Sequence, residues 1–324
     1  MKKTIAVLDI GSQTFRMAIV DVEAGGIKIR CSERVNVRLG QGLSAAPRLS
    51  VSGIKNGVAA LKRFRNLLTG YDIDRVVAYG TAALRKAENA SVFIDMAKNA
   101  GFDIEILAGN EEARLSAMGV YYSLKGISNR MSLIADVGGG STELILARGG
   151  EILFSRSLDI GAVGLSEKFF GTGVLSGEEF ERLGRFVARS IHDAKRDIGH
   201  TVPEILIGTG GSATAAGAMF IKMARYEPSR IRGLVLSADG LSDLLSCLIK
   251  AKTPLEKNTI LGLEPERADI LPAGIAIFLS VLSTFNLKDM IITDGGLLLG
   301  LLINLVQKEL GIHVEPSYTS GLYI

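Results

Sequence analysis

Two stretches of the chain repeat one order of apolar and polar positions. Ile5-Ala6-Val7-Leu8-Asp9-Ile10-Gly11-Ser12-Gln13-Thr14 and Leu133-Ile134-Ala135-Asp136-Val137-Gly138-Gly139-Gly140-Ser141-Thr142-Glu143 each run through apolar residues to an aspartate. Each then crosses a turn of glycine and hydroxyl residues into a second apolar run, Phe15 to Val20 or Leu144 to Ala147. A short apolar run closed by turn residues predicts a buried strand, so each copy predicts a hairpin. Two further apolar runs end in glycines, Ile205-Leu206-Ile207-Gly208-Thr209-Gly210-Gly211-Ser212 and Met290-Ile291-Ile292-Thr293-Asp294-Gly295-Gly296.

Such hairpins suit phosphate. Glycines let backbone N–H groups approach an anion closely, and an aspartate at a strand end holds a divalent cation directly or through water. A single Asp-x-Gly turn often does no more than join two strands. Two copies with matched flanks predict two facing lobes with phosphate held between them.

The rest of the first half predicts mixed α/β structure. A third strand follows the hairpin, then an amphipathic helix at 51–68, a strand at 75–79, a helix near 90–100, a strand at 103–107 and a helix near 113–124. The softer segment Lys125-Gly126-Ile127-Ser128-Asn129 predicts the boundary between a first domain, 1–125, and a second, 126–302. The segment from about 303 to 324 is expected to pack back on the first. In the second half, Ser176 and Glu179 have capping-box spacing before a helix at 180–198 that Gly199 closes, and Ser237 caps a helix through Leu248. Ile270 to Phe285 is nearly apolar, but it contains Pro272, Ser280 and Thr284 and is shorter than the ~20 residues of a membrane span, so it predicts a buried core helix. Leu297 to Leu310 predicts another helix, and the tail from Gly311 is irregular.

Composition narrows the classes. The 324 residues, 47% of them hydrophobic, suffice for two cored domains. A net charge of +3 with 22% charged residues argues against a general nucleic-acid or membrane-surface binder. Cys31 and Cys247 have no metal-like spacing, and His192, His200 and His313 are scattered, which argues against a zinc site or a Cys/His nucleophile. Met1-Lys2-Lys3-Thr4 starts like a signal peptide, but Asp9 interrupts the apolar segment and no small-residue cleavage site follows, so a cytoplasmic location is expected.

Four motifs, in order, carry a resemblance: Asp9-Ile10-Gly11-Ser12, Gly80-Thr81-Ala82-Ala83-Leu84-Arg85, Gly109-Asn110-Glu111-Glu112-Ala113-Arg114 and the run from Asp136 to Glu143. The chain resembles the exopolyphosphatase / guanosine pentaphosphate phosphatase family, in the superfamily of actin, sugar kinases and the heat-shock chaperone ATPase, from Asp9 to about Gly300. The resemblance implies two actin-like (ribonuclease H-like) α/β domains with mixed sheets and an interdomain active-site cleft. It implies hydrolysis of a terminal phosphoanhydride, releasing orthophosphate from inorganic polyphosphate, guanosine pentaphosphate or both.

By the same resemblance Glu112 is the catalytic carboxylate, which orients and deprotonates the attacking water. On the residues alone, a Glu pair at a helix start is ordinary dipole chemistry. Asp9, Asp136 and Glu143 match acids associated with Mg²⁺ or Mn²⁺, an ion that takes a few carboxylates plus water and substrate oxygens. Ser12, Gly138, Gly139, Gly140, Ser141 and Thr142 would bind phosphate oxygens, and Arg85 and Arg114 match family arginines suited to bidentate phosphate contact, with structural salt bridges the alternative. The implied partner is a polyphosphate or guanosine polyphosphate substrate, with no nucleic acid or membrane and with room for a homodimer.

The chain departs from the family at Gln13, where asparagine is usual, and at Leu298 and Leu299, where an arginine and an acid are usual. Either that end of the cleft grips substrate differently, or a structural charge pair has given way to apolar packing. Longer relatives carry a C-terminal helical region that this chain is expected to lack, so distributive cleavage and a preference for shorter chains are expected. The competing readings are an ATP-dependent small-molecule kinase of the same superfamily, a non-catalytic guanosine polyphosphate sensor and an actin-like structural protein. Intact Glu112, Asp136 and Glu143 argue against the sensor, and sedimenting filaments would expose the structural protein.

Overall fold

A computed structural model describes residues 2–23, 26–127, 129–170 and 177–311. The expected cap at Ser176, the boundary residue Ser128 and the tail beyond Gly311 lie outside the described residues. The chain forms two compact units, Met1–Ser123 with Gly295–Ile324, and Leu124–Asp294.

The first unit begins with β1 (Lys3–Ile10), β2 (Thr14–Glu23) and β3 (Gly26–Asn36), followed by α1 (Val51–Leu68), β4 (Arg75–Gly80), α2 (Ala82–Lys86), α3 (Ala90–Asn99), β5 (Ile104–Ile106) and α4 (Gly109–Ser123). Its sheet has the order β3-β2-β1-β4-β5, antiparallel through β1–β3 and parallel from β1 to β5. Both faces are covered. Ala6, Leu8 and Ile10 pack in a cluster with Phe15, Leu61, Phe64 and Phe93, while Ile5 and Val7 join leucines of the later helix Leu297–Leu310. A strand buried on both faces reads as a continuous apolar run, which is why β1 carries no alternation.

The second unit repeats the plan with β6 (Ser132–Val137), β7 (Thr142–Arg148), β8 (Glu151–Leu158), α5 (Ala162–Phe169), α6 (Gly177–Ile198), β9 (Ile205–Thr209), α7 (Gly210–Phe220), α8 (Pro228–Ile231), β10 (Val235–Ser237), α9 (Ala238–Lys250), α10 (Pro254–Asn258), α11 (Leu271–Phe285) and β11 (Asp289–Ile292). Its order is β10-β11-β9-β6-β7-β8, the same arrangement with an added antiparallel edge strand. Both units therefore have the mixed, ribonuclease H-like sheet of the actin-like class. The irregularity in β2 at Ile19/Val20 recurs in β7 at Leu146/Ala147, the same offset that relates Asp9 to Asp136.

Local signals place the helices. Ser50 caps α1 and Ser237 caps α9, each hydroxyl accepting from the N–H three residues on at 3.0 Å. In α6 the buried Leu183, Val187, Ile191, Ala194 and Ile198 form one helical stripe. α11 is buried on almost every side, as expected of a core helix. α7 escapes the sequence pattern because its Gly/Ala-rich residues are nearly all buried and give no amphipathic contrast.

The final helix, α12 (Leu297–Leu310), crosses α4 at very short range. A Cβ on Gly119 would lie 2.0 Å from the Gly296 carbonyl oxygen, and one on Gly300 would lie 1.7 Å from that of Leu115. Leu298 and Leu299 are buried in the adjoining apolar cluster. Both positions are therefore filled by apolar packing in the core of the first unit.

Asp21, buried on β2, accepts from Lys2 Nζ at 2.9 Å, Arg30 Nη1 at 2.7 Å and Thr4 Oγ1 at 2.9 Å. The Lys2 hydrogen bond foremost, then Arg30 and Thr4, overcome the opposing effect of burial and hold its carboxyl at about 2. A folded-state value below the unfolded one contributes stability above the unfolded value, lost as pH falls through the folded value. Asp21→Asn should therefore lower the thermal midpoint at pH 7, and the gap to wild type should narrow as pH falls from about 5 toward 2. A gap independent of pH would assign the loss to packing.

Candidate active site

The two hairpin turns close in the same way. Gly11 N–H donates to the Thr14 carbonyl at 3.2 Å, and Gly138 N–H donates to that of Ser141 at 3.0 Å. Strand register then puts Asp9 opposite Arg16 in the first unit and Asp136 opposite Glu143 in the second. The repeat read in the sequence is thus a repeat in three dimensions, with one charge inverted.

In the first unit the turn is backed by the loop after β3. Val37 and Arg38 N–H both donate to the Gln13 carbonyl at 2.9 Å, and Gly40 N–H donates to that of Ser12 at 2.8 Å. Asp9, Ser12 and Gln13 are all buried, so the turn is a supported element of the fold.

In the second unit the backing comes from the start of α5. Ala162 N–H donates to the Gly138 carbonyl and Val163 N–H to that of Gly139, both at 2.9 Å. Gly161 permits the approach, since a Cβ there would lie 2.5 Å from the Gly139 oxygen. Two groups expected to face phosphate are engaged in the fold instead: Gly138 N–H closes the turn, and the Thr142 hydroxyl donates to the Ile160 carbonyl at 2.6 Å. Gly139, Gly140 and Ser141 form the tip.

Register extends the carboxylate pair into a row. Ser157 on β8 is opposite Glu143, Glu143 opposite Asp136, and Asp136 opposite Thr209 on β9. The Ser157 hydroxyl donates to Glu143 Oε1 at 2.7 Å. Gly210, at φ +85°, starts α7 so close that a Cβ would lie 2.7 Å from Asp136 Oδ1. Ser157, Thr209 and Gly210 are absent from the sequence-derived set. The glycine run at 208–211 hinted at Gly210, whereas Ser157 and Thr209 needed the strand register.

Like charges opposite each other on a sheet repel, and Glu143 is only 2% exposed. Two carboxylates beside a glycine turn fit Mg²⁺, which needs only one or two protein carboxylates when water and phosphate complete its shell. Among the described residues no three or more His, Cys, Asp or Glu side chains form a metal cage. Asp9 belongs to the first unit.

Glu112 lies in the first turn of α4, 7% exposed, with its N–H donating to the Ala108 carbonyl at 2.9 Å. Helix geometry puts Glu111 and Glu112 at the positive end of the dipole. Arg85, at the end of α2, donates from Nη1 to Glu112 Oε2 at 2.5 Å and to the Leu107 carbonyl at 2.9 Å. Arg114 is placed elsewhere: its Nε and Nη2 meet both oxygens of Glu111 at 2.8 and 2.7 Å, and Nη2 also meets Asn304 Oδ1 at 2.9 Å. The Arg114 hydrogen bond lowers the Glu111 pKa from its ordinary value, the pattern of a structural pair tying α4 to α12.

The model of the Ppx/GppA phosphatase family matches residues 18–309. The chain belongs to that family. A guanosine-5'-triphosphate,3'-diphosphate pyrophosphatase from Photobacterium profundum is 29% identical over 304 residues, which are 94% of this chain and 59% of that relative, so the chain spans about three fifths of its length. A putative exopolyphosphatase from Haemophilus influenzae is 28% identical over 94% of this chain and 91% of its own. The crystal structure of the Aquifex aeolicus Ppx/GppA family member superposes with a TM-score of 0.79 at 28% identity, covering 95% of this chain and 99% of that one. An exopolyphosphatase structure from Cytophaga hutchinsonii gives 0.87 at 26% identity, covering 97% and 99%. Among the described residues no helix is long and apolar enough to cross a membrane.

Proposed function

We propose that this Ppx/GppA family member is a phosphoanhydride hydrolase that releases terminal orthophosphate from inorganic polyphosphate, guanosine pentaphosphate or both. The observation that carries this reading is the Asp136–Glu143 pair, two acids opposite each other at a glycine turn, which suits a divalent ion and phosphate oxygens. Family membership and the names of the relatives support the same chemistry.

Each residue has a role in this reading. Glu112 holds the attacking water and takes its proton, which in-line attack on a terminal phosphoryl group requires. The tip of the second turn, Gly139, Gly140 and Ser141, binds phosphate oxygens with backbone N–H groups and a hydroxyl, and Ser12 serves the first turn in the same way. Asp136 and Glu143 would hold Mg²⁺ or Mn²⁺, with Ser157 orienting Glu143 and Asp9 as the counterpart acid of the first hairpin. When bound, the ion supplies charge neutralisation on the phosphoanhydride oxygens.

The test is phosphate release, measured side by side from long polyphosphate, short polyphosphate, guanosine pentaphosphate and ATP, with Mg²⁺ and with chelator. Release from at least one of the first three, faster than from ATP and abolished by chelator, is the expected result. Transfer from ATP to a small acceptor, with no release from the others, would establish the kinase reading. Asp136→Ala should suppress turnover and move the Mg²⁺ titration to higher concentration, whereas an unchanged titration would make the aspartate purely structural.

A further inference from the structure

Glu112 can act as a base only if its carboxylate points where the water sits, and the residue that fixes it is one the motif resemblance assigned to phosphate. We propose that Arg85 is a positioning residue that acts through Glu112, and does not bind the transferred phosphate. This inference rests on the reading of Glu112 as the base.

Arg85 Nη1 carries two N–H bonds and reaches two acceptors, Glu112 Oε2 at 2.5 Å and the Leu107 carbonyl at 2.9 Å. The second acceptor is itself part of a fixed backbone, because Leu107 N–H donates to the Gly80 carbonyl at the end of β4, at 2.9 Å. Arg85 lies five residues beyond that strand end, on α2. The guanidinium therefore references the carboxylate to the edge of the sheet, while the backbone of Glu112 is tied to Ala108. The Glu112 side chain is 10% exposed and that of Arg85 is 21% exposed, so solvent screens the pair only in part. Arginine suits such a half-buried pair because it stays charged, is weakly hydrated and loses little side-chain freedom per bond formed. A carboxylate held in one orientation gains the advantage of a positioned group, and misplacement by about 1 Å costs on the order of 10²-fold in rate.

The test is a double-mutant cycle on phosphate release, using whichever of the substrates above turns over fastest and including Arg85→Gln, Arg85→Lys, Glu112→Gln and the Arg85→Gln/Glu112→Gln double variant. Arg85→Gln is expected to lower kcat about 10- to 100-fold with KM within about threefold of wild type. Arg85→Lys should recover part of the loss. In the Glu112→Gln background, removing Arg85 should cost no more than about threefold further, because there is no base left to position. A KM raised tenfold or more with kcat retained would overturn the proposal in favour of direct phosphate contact, as would losses that multiply in the double variant. So would kcat and KM within about twofold of wild type for Arg85→Gln, or an unchanged kcat per folded molecule beside a lowered thermal midpoint. If Arg85→Gln does not fold, the same cycle run with Arg85→Lys decides between the same outcomes. Wild-type activity in Glu112→Gln overturns the base reading itself, whereas an inactive Glu112→Gln with multiplicative Arg85 losses overturns this inference alone.

Discussion

Glu112→Gln is expected to leave the fold intact and to cut phosphate release by about 10²- to 10⁴-fold, the usual contribution of a general base. The amide keeps the shape and one acceptor oxygen for Arg85, so the hydrogen bond to Nη1 survives in weaker form, while the group can no longer take a proton. Folding is therefore a separate readout. Circular dichroism and the thermal midpoint should stay near wild type while kcat falls. Activity within a few-fold of wild type would remove Glu112 from the mechanism and return it to the ordinary role of an acid at a helix start.

Arg232→Ala is expected to destabilise the second unit by about 3–5 kcal/mol, the range for breaking a buried ion pair by removing one partner. Arg232 Nε meets Asp294 Oδ1 at 2.6 Å and Nη2 meets Oδ2 at 2.9 Å, with the two side chains 6% and 4% exposed. The bidentate fork satisfies both carboxylate oxygens, and alanine would leave the charge of Asp294 without it in a poorly hydrated place. Urea unfolding should show a lower midpoint for the variant. The double variant Arg232→Ala/Asp294→Ala should recover part of the loss, since the desolvated charge is then gone, and a double variant no more stable than the single would locate the effect in the packing of the arginine stem.

Much of the fold was legible along the chain because its signals are local. The helix expected at 51–68 is α1, and the strand expected at 75–79 is β4 with one more residue, since apolar spacing and the serine cap act within a turn or two of the residues that carry them. The helix expected near 113–124 begins four residues earlier, at Gly109, which puts Glu112 inside the first turn of α4. That boundary was obscured because Gly109 and Asn110 have low helix propensity. α7 was illegible for another reason: a helix buried on all sides has no polar face to mark its period.

The sequence by itself determined that this is a duplicated α/β protein with two Asp-Gly hairpins, and it named most of the acids of the candidate site, because repeats and motifs are properties of order along the chain. Only the tertiary structure decided which partners those residues have. Arg85 meets Glu112 across 27 positions and Arg114 meets Asn304 across 190. Ser157, Glu143, Asp136 and Thr209 form one row because strand pairing sets them level, although loops and helices separate β6 from β9 in the chain. The same holds for Leu298 and Leu299, which are core residues because α12 packs against β1 and α4. The physical reason is common to all of these: a hydrogen bond or an apolar contact depends on distance in space, and distance in space is set by how the sheets and helices pack.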